Sequence, residues 1–317
     1  MSVNQLMVQT AAGKQLLADG IIYTHEHLWL DLSTDKDPDG KLDQYDLIVG
    51  ELRELKDLGV AAIIELTCLG MGRDVSRLRQ MQLETGVQII PATGYYHHRF
   101  HPQALQGASV EHIAATLVPE LTKGMDGTSM TPMLLGEIGG SGPPLYPDEV
   151  NVFKAVARLA QEFPVVVTTH AHLGGGGRDE LQVLLQGGVA PEHILIGHQD
   201  LCPVLEDVLF IARQGAYVGF DTVGKKHYAP DARRVAYVKA FVEVGLADRI
   251  LLSCDISRNA YLRQNGGQGY AYLLRAFLPM LAAEGIEESV IQQITEENPR
   301  RFLTGAYTNL AQTRGKA

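Results

Sequence analysis

Cysteine is scarce in this chain: three in 317 residues, Cys68, Cys202 and Cys254, without the short spacing of a zinc-binding pair or the even count of a disulfide framework. Sparse thiols of this kind are expected to stay reduced, as in a cytoplasm. No run of about 18 apolar residues occurs, so no membrane-spanning helix is expected. The start, MSVNQLMVQTAAGKQLLADG, has no basic segment followed by an apolar block and does not read as a secretory signal. Cations are outnumbered, with 27 Lys and Arg against 37 Asp and Glu. The net charge of −10 argues against nucleic acid or an acidic membrane as partner. No G-x-G-x-x-G follows the first apolar run, which weighs against an open dinucleotide-binding sheet. Low-complexity segments and strong linkers are missing too, so residues 1–317 read as one domain.

What is present is an alternation. Strand-like apolar runs stand at Ile21–Thr24, Ala61–Thr67, Val87–Ala92, Pro132–Ile138, Pro164–Thr169, His193–Gly197, Ala216–Phe220 and Arg249–Ser253. Amphipathic segments of helical period separate them. YDLIVGELRELKDLG sets Leu47, Leu52, Leu55 and Leu58 near one face, and VFKAVARLAQEF behaves likewise. Eight strands each followed by a helix predict an α/β fold with a parallel sheet, closed as a (β/α)8 barrel. The first twenty residues are expected to form a hairpin under the barrel. The segment from ENPRRFL onward reads as a closing helix with a frayed tail.

In a barrel of this type the chemistry sits at the C-terminal ends of the strands. The first run ends in His25 and His27, two residues apart and therefore on one face. The fourth carries Glu137, the fifth ends in His170, the sixth in His198 and the eighth in Asp255. A period of two makes Leu135 and Met133 inward with Glu137, and Ser253 and Leu251 inward with Asp255. Four imidazoles and two carboxylates on one rim suit two divalent metal ions, Zn²⁺ first, with Mn²⁺ or Co²⁺ as alternatives. Glu137 lies between the ligand groups and is the natural bridge. His25, His27 and Asp255 would hold one ion; His170 and His198 would hold the other.

Other polar residues read differently. His193 opens a strand and His112 lies in a helix, so both are expected to be structural. His97, His98 and His101 cluster on a loop and are taken as surface or substrate contacts. Cys254 faces away from the rim and is expected to be a core thiol. The glycines of LGGGGRD predict a flexible loop over the site. Candidate pocket residues are Tyr95, Tyr96, His98, His172, Arg178, Lys225, Lys226, Arg258 and Arg263, with Tyr96, His98, His172, Arg178, Lys225 and Arg258 taken as the substrate contacts. Five of the candidates are Lys or Arg, which suggests an anionic group on a small-molecule substrate. The oligomer to expect is a homodimer.

THEHL, GEIG, TTHAHLGGGG, IGHQDL, VGFDTVGK, LLSCDISR and ENPRRF occur in an order that resembles the phosphotriesterase-related branch of the amidohydrolase superfamily. NGGQGYAYLL strengthens the likeness to its homology-protein members. The resemblance implies a (β/α)8 barrel with two metal ions and His25, His27, Glu137, His170, His198 and Asp255 as ligands. Two positions depart from it. Glu137 stands where the characterised phosphotriesterases and lactonases carry a carboxylated lysine, and its shorter side chain keeps the carboxylate nearer the strand. His172 stands where close relatives have a small polar residue.

The expected activity is hydrolysis of an ester or lactone, anionic in character, by metal-activated water. Two ions lower the pKa of water toward 7 and polarise the substrate oxygen. Asp255 would take the proton and pass it to the leaving group. The alternatives are a phosphoester or phosphotriester hydrolase, or a metal-binding barrel with a non-hydrolytic or binding role.

Overall fold

The computed structural model describes residues 6–314, with side chains through Tyr307. A hairpin, β1 (Met7–Thr10) and β2 (Gly13–Leu16), precedes β3 (Ile21–Glu26). A short pair, β4 (Leu30–Asp31) and β5 (Lys41–Leu42), leads into α1 (Tyr45–Asp57). Strands and helices then alternate: β6 (Val60–Glu65), α2 (Val75–Thr85), β7 (Gln88–Pro91), α3 (Val110–Thr122), β8 (Leu134–Gly140), α4 (Pro147–Glu162), β9 (Val166–Ala171) and α5 (Gly177–Gln186). They continue as β10 (Ile194–Ile196), α6 (Leu205–Arg213), β11 (Tyr217–Phe220), α7 (Asp231–Glu243) and β12 (Ile250–Leu252). Three helices close the chain, α8 (Leu278–Ala283), α9 (Glu288–Gln292) and α10 (Asn298–Arg314). Each of the eight apolar runs overlaps a strand. The last three residues of the expected frayed tail lie outside the described residues.

The strands form two parallel sheets, β3-β6-β7 and β8-β9-β10-β11-β12. At one seam Thr93, just past β7, bridges to Leu135 of β8, and its carbonyl accepts from Gly136 N at 2.7 Å. At the other, Thr24 Oγ1 donates to Leu252 O (3.2 Å) and His25 N donates to Ser253 Oγ (3.0 Å). Helix ends follow local chemistry. Asp74 caps α2 by accepting from Arg77 N at 3.0 Å. The buried face of α1 is Ile48, Val49, Leu52 and Leu55, so Leu47 and Leu58 lie at its margin.

The alternation of the strands divides the apolar side chains in two. One large core lies between strands and helices. A second lies among the strands themselves and includes Ile22, Ile64, Ile90, Leu134, Val166, Leu195, Tyr217 and Leu251. Leu6, Val8 and Leu17 from the hairpin segment and Phe302 and Leu303 from α10 belong to this inner core, which they cover at the N-terminal ends of the strands. The expected inward place of Leu251 agrees with this. That of Leu135 does not: Leu135 packs in the outer core and Leu134 in the inner one, while Met133 reaches the inner core from just before the strand.

Candidate metal centre

The exception at Leu135 has a local cause. Leu135 pairs with Val167 but Ile138 pairs with Thr169, so β8 spends three steps where β9 spends two. β3 does the same against β6, where Tyr23 pairs with Ile63 and Glu26 with Glu65. An extra residue of this kind turns the later side chains to the opposite face. Ile22 and Leu134 therefore fill the apolar interior, while His25, His27 and Glu137 beyond the bulges face the same interior with polar atoms. His170 needs no bulge, being four residues past the inward Val166. His198 (φ 57°) and Asp255 (φ 50°) follow their strands in the left-handed backbone region. Non-glycine residues adopt it rarely, Asp and His more often than most.

These six side chains meet around Glu137. Its carboxylate oxygens lie 3.2 Å from His25 Nε2, 3.3 Å from His27 Nε2, 3.2 Å from His170 Nδ1 and 3.9 Å from His198 Nε2. Asp255 Oδ1 is 3.4 Å from His27 Nε2. Donor atoms of His25, His27 and Asp255 lie within 4.8 Å of one another, as do those of Glu137, His170 and His198. A third such set joins His25 and His198 to Asp221. Asp221 is fully buried, 3.1 Å from His25 Nδ1 and 2.7 Å from His198 Nδ1. It was not among the expected donors, although it directly follows β11 just as Asp255 follows the last strand.

The phosphotriesterase family model matches residues 6–303 of the chain. The chain belongs to the phosphotriesterase family. It is 37% identical over 285 residues to the phosphotriesterase homology protein of Escherichia coli (strain K12), spanning 90% of this chain and 98% of that protein. The crystal structure of that E. coli protein, complexed with phosphate in its active site, matches with a TM-score of 0.88 over 90% of this chain and 99% of that one. The N-acetyltaurine hydrolase of Homo sapiens is 33% identical over 270 residues, 80% of this chain and 76% of that protein.

In this member of the phosphotriesterase family the donors stand on a second layer of buried acids. Glu26, between the two histidines of the first strand, accepts from the backbone N–H of Cys254 (2.6 Å), Asp255 (3.2 Å) and Ile256 (2.8 Å), and so fixes the loop that carries Asp255. Burial raises its pKa to about 7 against the lowering effect of those bonds. His27 Nδ1 contacts Thr67 Oγ1 at 2.9 Å, and Thr67 Oγ1 donates to Glu65 at 2.5 Å. Outer partners of this kind set the orientation and tautomer of a ligating imidazole. Glu26, Glu65, Thr67 and Asp221 all escaped the sequence reading.

The charge balance of the centre is uneven. Burial pushes the Glu137 carboxyl up, but the imidazoles of His25, His170 and His27 outweigh it and hold the group well below the usual range. Asp255 is likewise raised by burial and lowered further by the Lys225 ammonium and His27. Burial would lower His27, yet its contacts with Asp255 and Glu137 raise it to about 9. His170 goes the other way, to about 4, through burial and the neighbouring His198.

A cavity of about 190 Å³ opens over the donors. Tyr96, His172, Lys225 and Arg258 line it, and so does His97. Tyr96 Oη lies 3.3 Å from the His170 ring nitrogens. Lys225 is almost fully buried and donates to Asp255 and to Ser257 Oγ (3.2 Å). Arg258 donates through both arms of its fork to Asp37, at 2.8 and 2.6 Å. The remaining candidates are placed elsewhere. Arg178 lies on α5, paired with Asp207 at 2.6 Å and stacked on Phe210. His98 lies beside Asp148 and Tyr146. Tyr95 turns its hydroxyl to Thr116, and Arg263 pairs with Glu54. Lys226 lines a separate groove beside α7.

Gly174 (φ 81°) packs so closely on residues 201–202 that a Cβ there would stand 2.1 Å from Cys202 N. Gly174 thus permits a close approach of two backbone segments. Cys254 is buried in the outer core, and burial pushes its thiol well above the ordinary range. His193 is buried at the start of β10, and His112 is exposed on α3.

Proposed function

We propose that the strands close as a (β/α)8 barrel and that the chain is a hydrolase dependent on two divalent metal ions, Zn²⁺ first, acting on a small ester, lactone or amide with an anionic group. The single observation that carries this reading is the Glu137 carboxylate at 3.2–3.3 Å from three imidazoles that arrive from two different strands. Closure is supported by hydrogen bonds across both seams between the sheets. The residues also fit metal ions. Both ring nitrogens of His25 are buried without a hydrogen-bond partner, while carboxylates approach them at 3.1 and 3.2 Å. Imidazole lone pairs beside anionic oxygens are a donor set for Zn²⁺ or a neighbouring transition ion.

His25, His27 and Asp255 would hold one ion, His170 and His198 the other, with Glu137 between them. Such a pair supplies Lewis acidity and hydroxide at neutral pH. The protein's own groups do the rest. Asp255, ionised at rest, takes a proton at its carboxylate from the attacking water, and Lys225 holds that carboxylate in place. The proton then moves to the leaving group. The cavity is smaller than the roughly 300–1,000 Å³ of sites for drug-sized ligands, which favours a small substrate.

The expectation of ester bonds alone is widened here, because the human relative bears the name of an amide hydrolase. An anionic substrate end fits at Arg258, whose side chain is 34% exposed at the cavity wall. An ion pair as exposed as that with Asp37 contributes no more than about 1 kcal/mol, so a substrate carboxylate or sulfonate can replace it. A phosphoester substrate is the second reading, favoured by the phosphate in the active site of the E. coli structure. Three buried free cysteines suit a reducing compartment, which supports a cytoplasmic location. Among the described residues no helix is long and apolar enough to cross a membrane.

The test is a panel of N-acyl amino sulfonates, lactones, carboxylic esters and phosphoesters, assayed with Zn²⁺, Mn²⁺ or Co²⁺ and with metal content measured on the same samples. Turnover of an acyl compound that chelation abolishes and metal restores is expected. Two bound ions without turnover of any class would overturn the hydrolase and leave a binding role.

A further inference from the structure

A second group of donors lies outside the pocket, built from His98, His101 and Asp148. His98 Nδ1 is 2.6 Å and His101 Nδ1 3.0 Å from the same oxygen of Asp148. Local structure brings them together. Residues His98–Phe100 form one turn of 3₁₀ helix, in which side chains three apart eclipse, so His98 and His101 face the same way. Asp148 is the second residue of α4, directly after Pro147. The turn is pinned to that helix, because His98 N donates to the Glu149 carboxylate at 2.9 Å. The His98 ring is held flat against Tyr146, with centroids 4.5 Å apart and 10° between planes.

The deciding detail is the tautomer of His101. Its Nε2 lies 2.7 Å from the carbonyl oxygen of Tyr96, which can only accept. Nε2 therefore carries a proton, and in the neutral tautomer Nδ1 turns a lone pair toward a carboxylate. The side chain is only 2% exposed, so water does little to screen that contact. Two electron-rich atoms meet there, and positive charge between them is what relieves the contact. A metal-bound histidine has this pattern, donating its other N–H to a backbone carbonyl.

We propose that His98, His101 and Asp148 bind a Zn²⁺ ion, or a similar transition-metal ion, separate from the centre around Glu137. Two imidazoles and one carboxylate, with water in the fourth position, satisfy tetrahedral zinc. The site ties the turn after β7 to the start of α4. Tyr96 and His97, which line the cavity, immediately precede that turn, so the ion braces one wall of the pocket.

Zinc content after equilibration and desalting tests this, measured on the wild type, His98→Gln and Asp148→Asn. His98 is half-exposed, so its variant keeps the fold, which circular dichroism verifies. The wild type is expected to hold one more zinc per chain than either variant. The same difference of one is expected in a Glu137→Gln background, which separates this site from the central one. Added zinc should also raise the melting temperature of the wild type more than that of His98→Gln. Equal zinc content and equal melting response in the wild type and both variants would overturn the site.

Discussion

The N-terminal ends of the parallel strands are covered by Leu6, Val8, Leu17, Phe302 and Leu303, and the core they complete is built mainly of aliphatic side chains. At the C-terminal ends the same strands bring together the buried imidazoles of His25, His27 and His198, the partly exposed one of His170 and the buried carboxylates of Glu137, Asp221 and Asp255. One framework thus carries two ends with opposite demands. The first gains stability by excluding water from apolar surface. The second buries polar groups at a cost that is offset only by partners, including the second layer of Glu26, Glu65 and Thr67. Substitutions should therefore separate cleanly into those that cost stability and those that cost chemistry.

The sharpest separation is expected from Glu137→Gln. It should lose at least one bound ion and reduce turnover by more than the roughly 10–100-fold typical of an outer partner, while far-ultraviolet circular dichroism stays unchanged. Retention of both ions and wild-type turnover would end the bridging role. Asp255→Asn should lower kcat by roughly 10²–10⁴-fold with little change in KM. A loss expressed mainly in KM would make Asp255 a binding group. At the other end, Phe302→Ala should cost about 3–5 kcal/mol of stability, read as a lower urea midpoint at constant slope. Turnover and metal content per folded chain should not change, and a drop in either would show that the two ends are coupled. The smallest effect is expected from Arg258→Ala. KM should rise roughly tenfold or more for a substrate with a free carboxylate and hardly at all for its methyl ester, in keeping with about 1.5–3 kcal/mol for a charge-assisted bond. Equal effects on both substrates would assign Arg258 to holding the Asp37 loop.

The strands were legible because each apolar run is short, rich in β-branched residues and followed by a helical period. The polar residues that end them, His170 and Asp255 among others, were legible from position alone. What counting by two could not register is the extra residue in β3 and in β8, since bulges leave no mark in an apolar alternation; Leu135 was misplaced for that reason. Asp221 carried the same signal as Asp255 and was within reach. Glu26 was not, because its role depends on backbone groups 228 to 230 positions away. The pairing of Arg258 with Asp37 spans 221 positions and joins two loops whose meeting no local pattern announces. His97, His98 and His101 looked alike as neighbours, yet the 3₁₀ turn sends one to the cavity and two to Asp148.

The bulges have a consequence for how such a protein can change over time. Side-chain direction in a strand is a binary property, so adding or deleting one residue inside Ile21–Glu26 or Leu134–Gly140 admits no intermediate. Either change would trade His25 and His27, or Glu137, for a neighbour pointing the other way, and the centre would vanish in a single event. Substitution at those same positions is graded by comparison, because it changes the donor and keeps its direction. A lineage can therefore explore new chemistry by altering the identity of a donor, while the lengths of these two strands are frozen. Mutant libraries aimed at new activities should accordingly vary residues around the rim and leave the spacing of both segments intact.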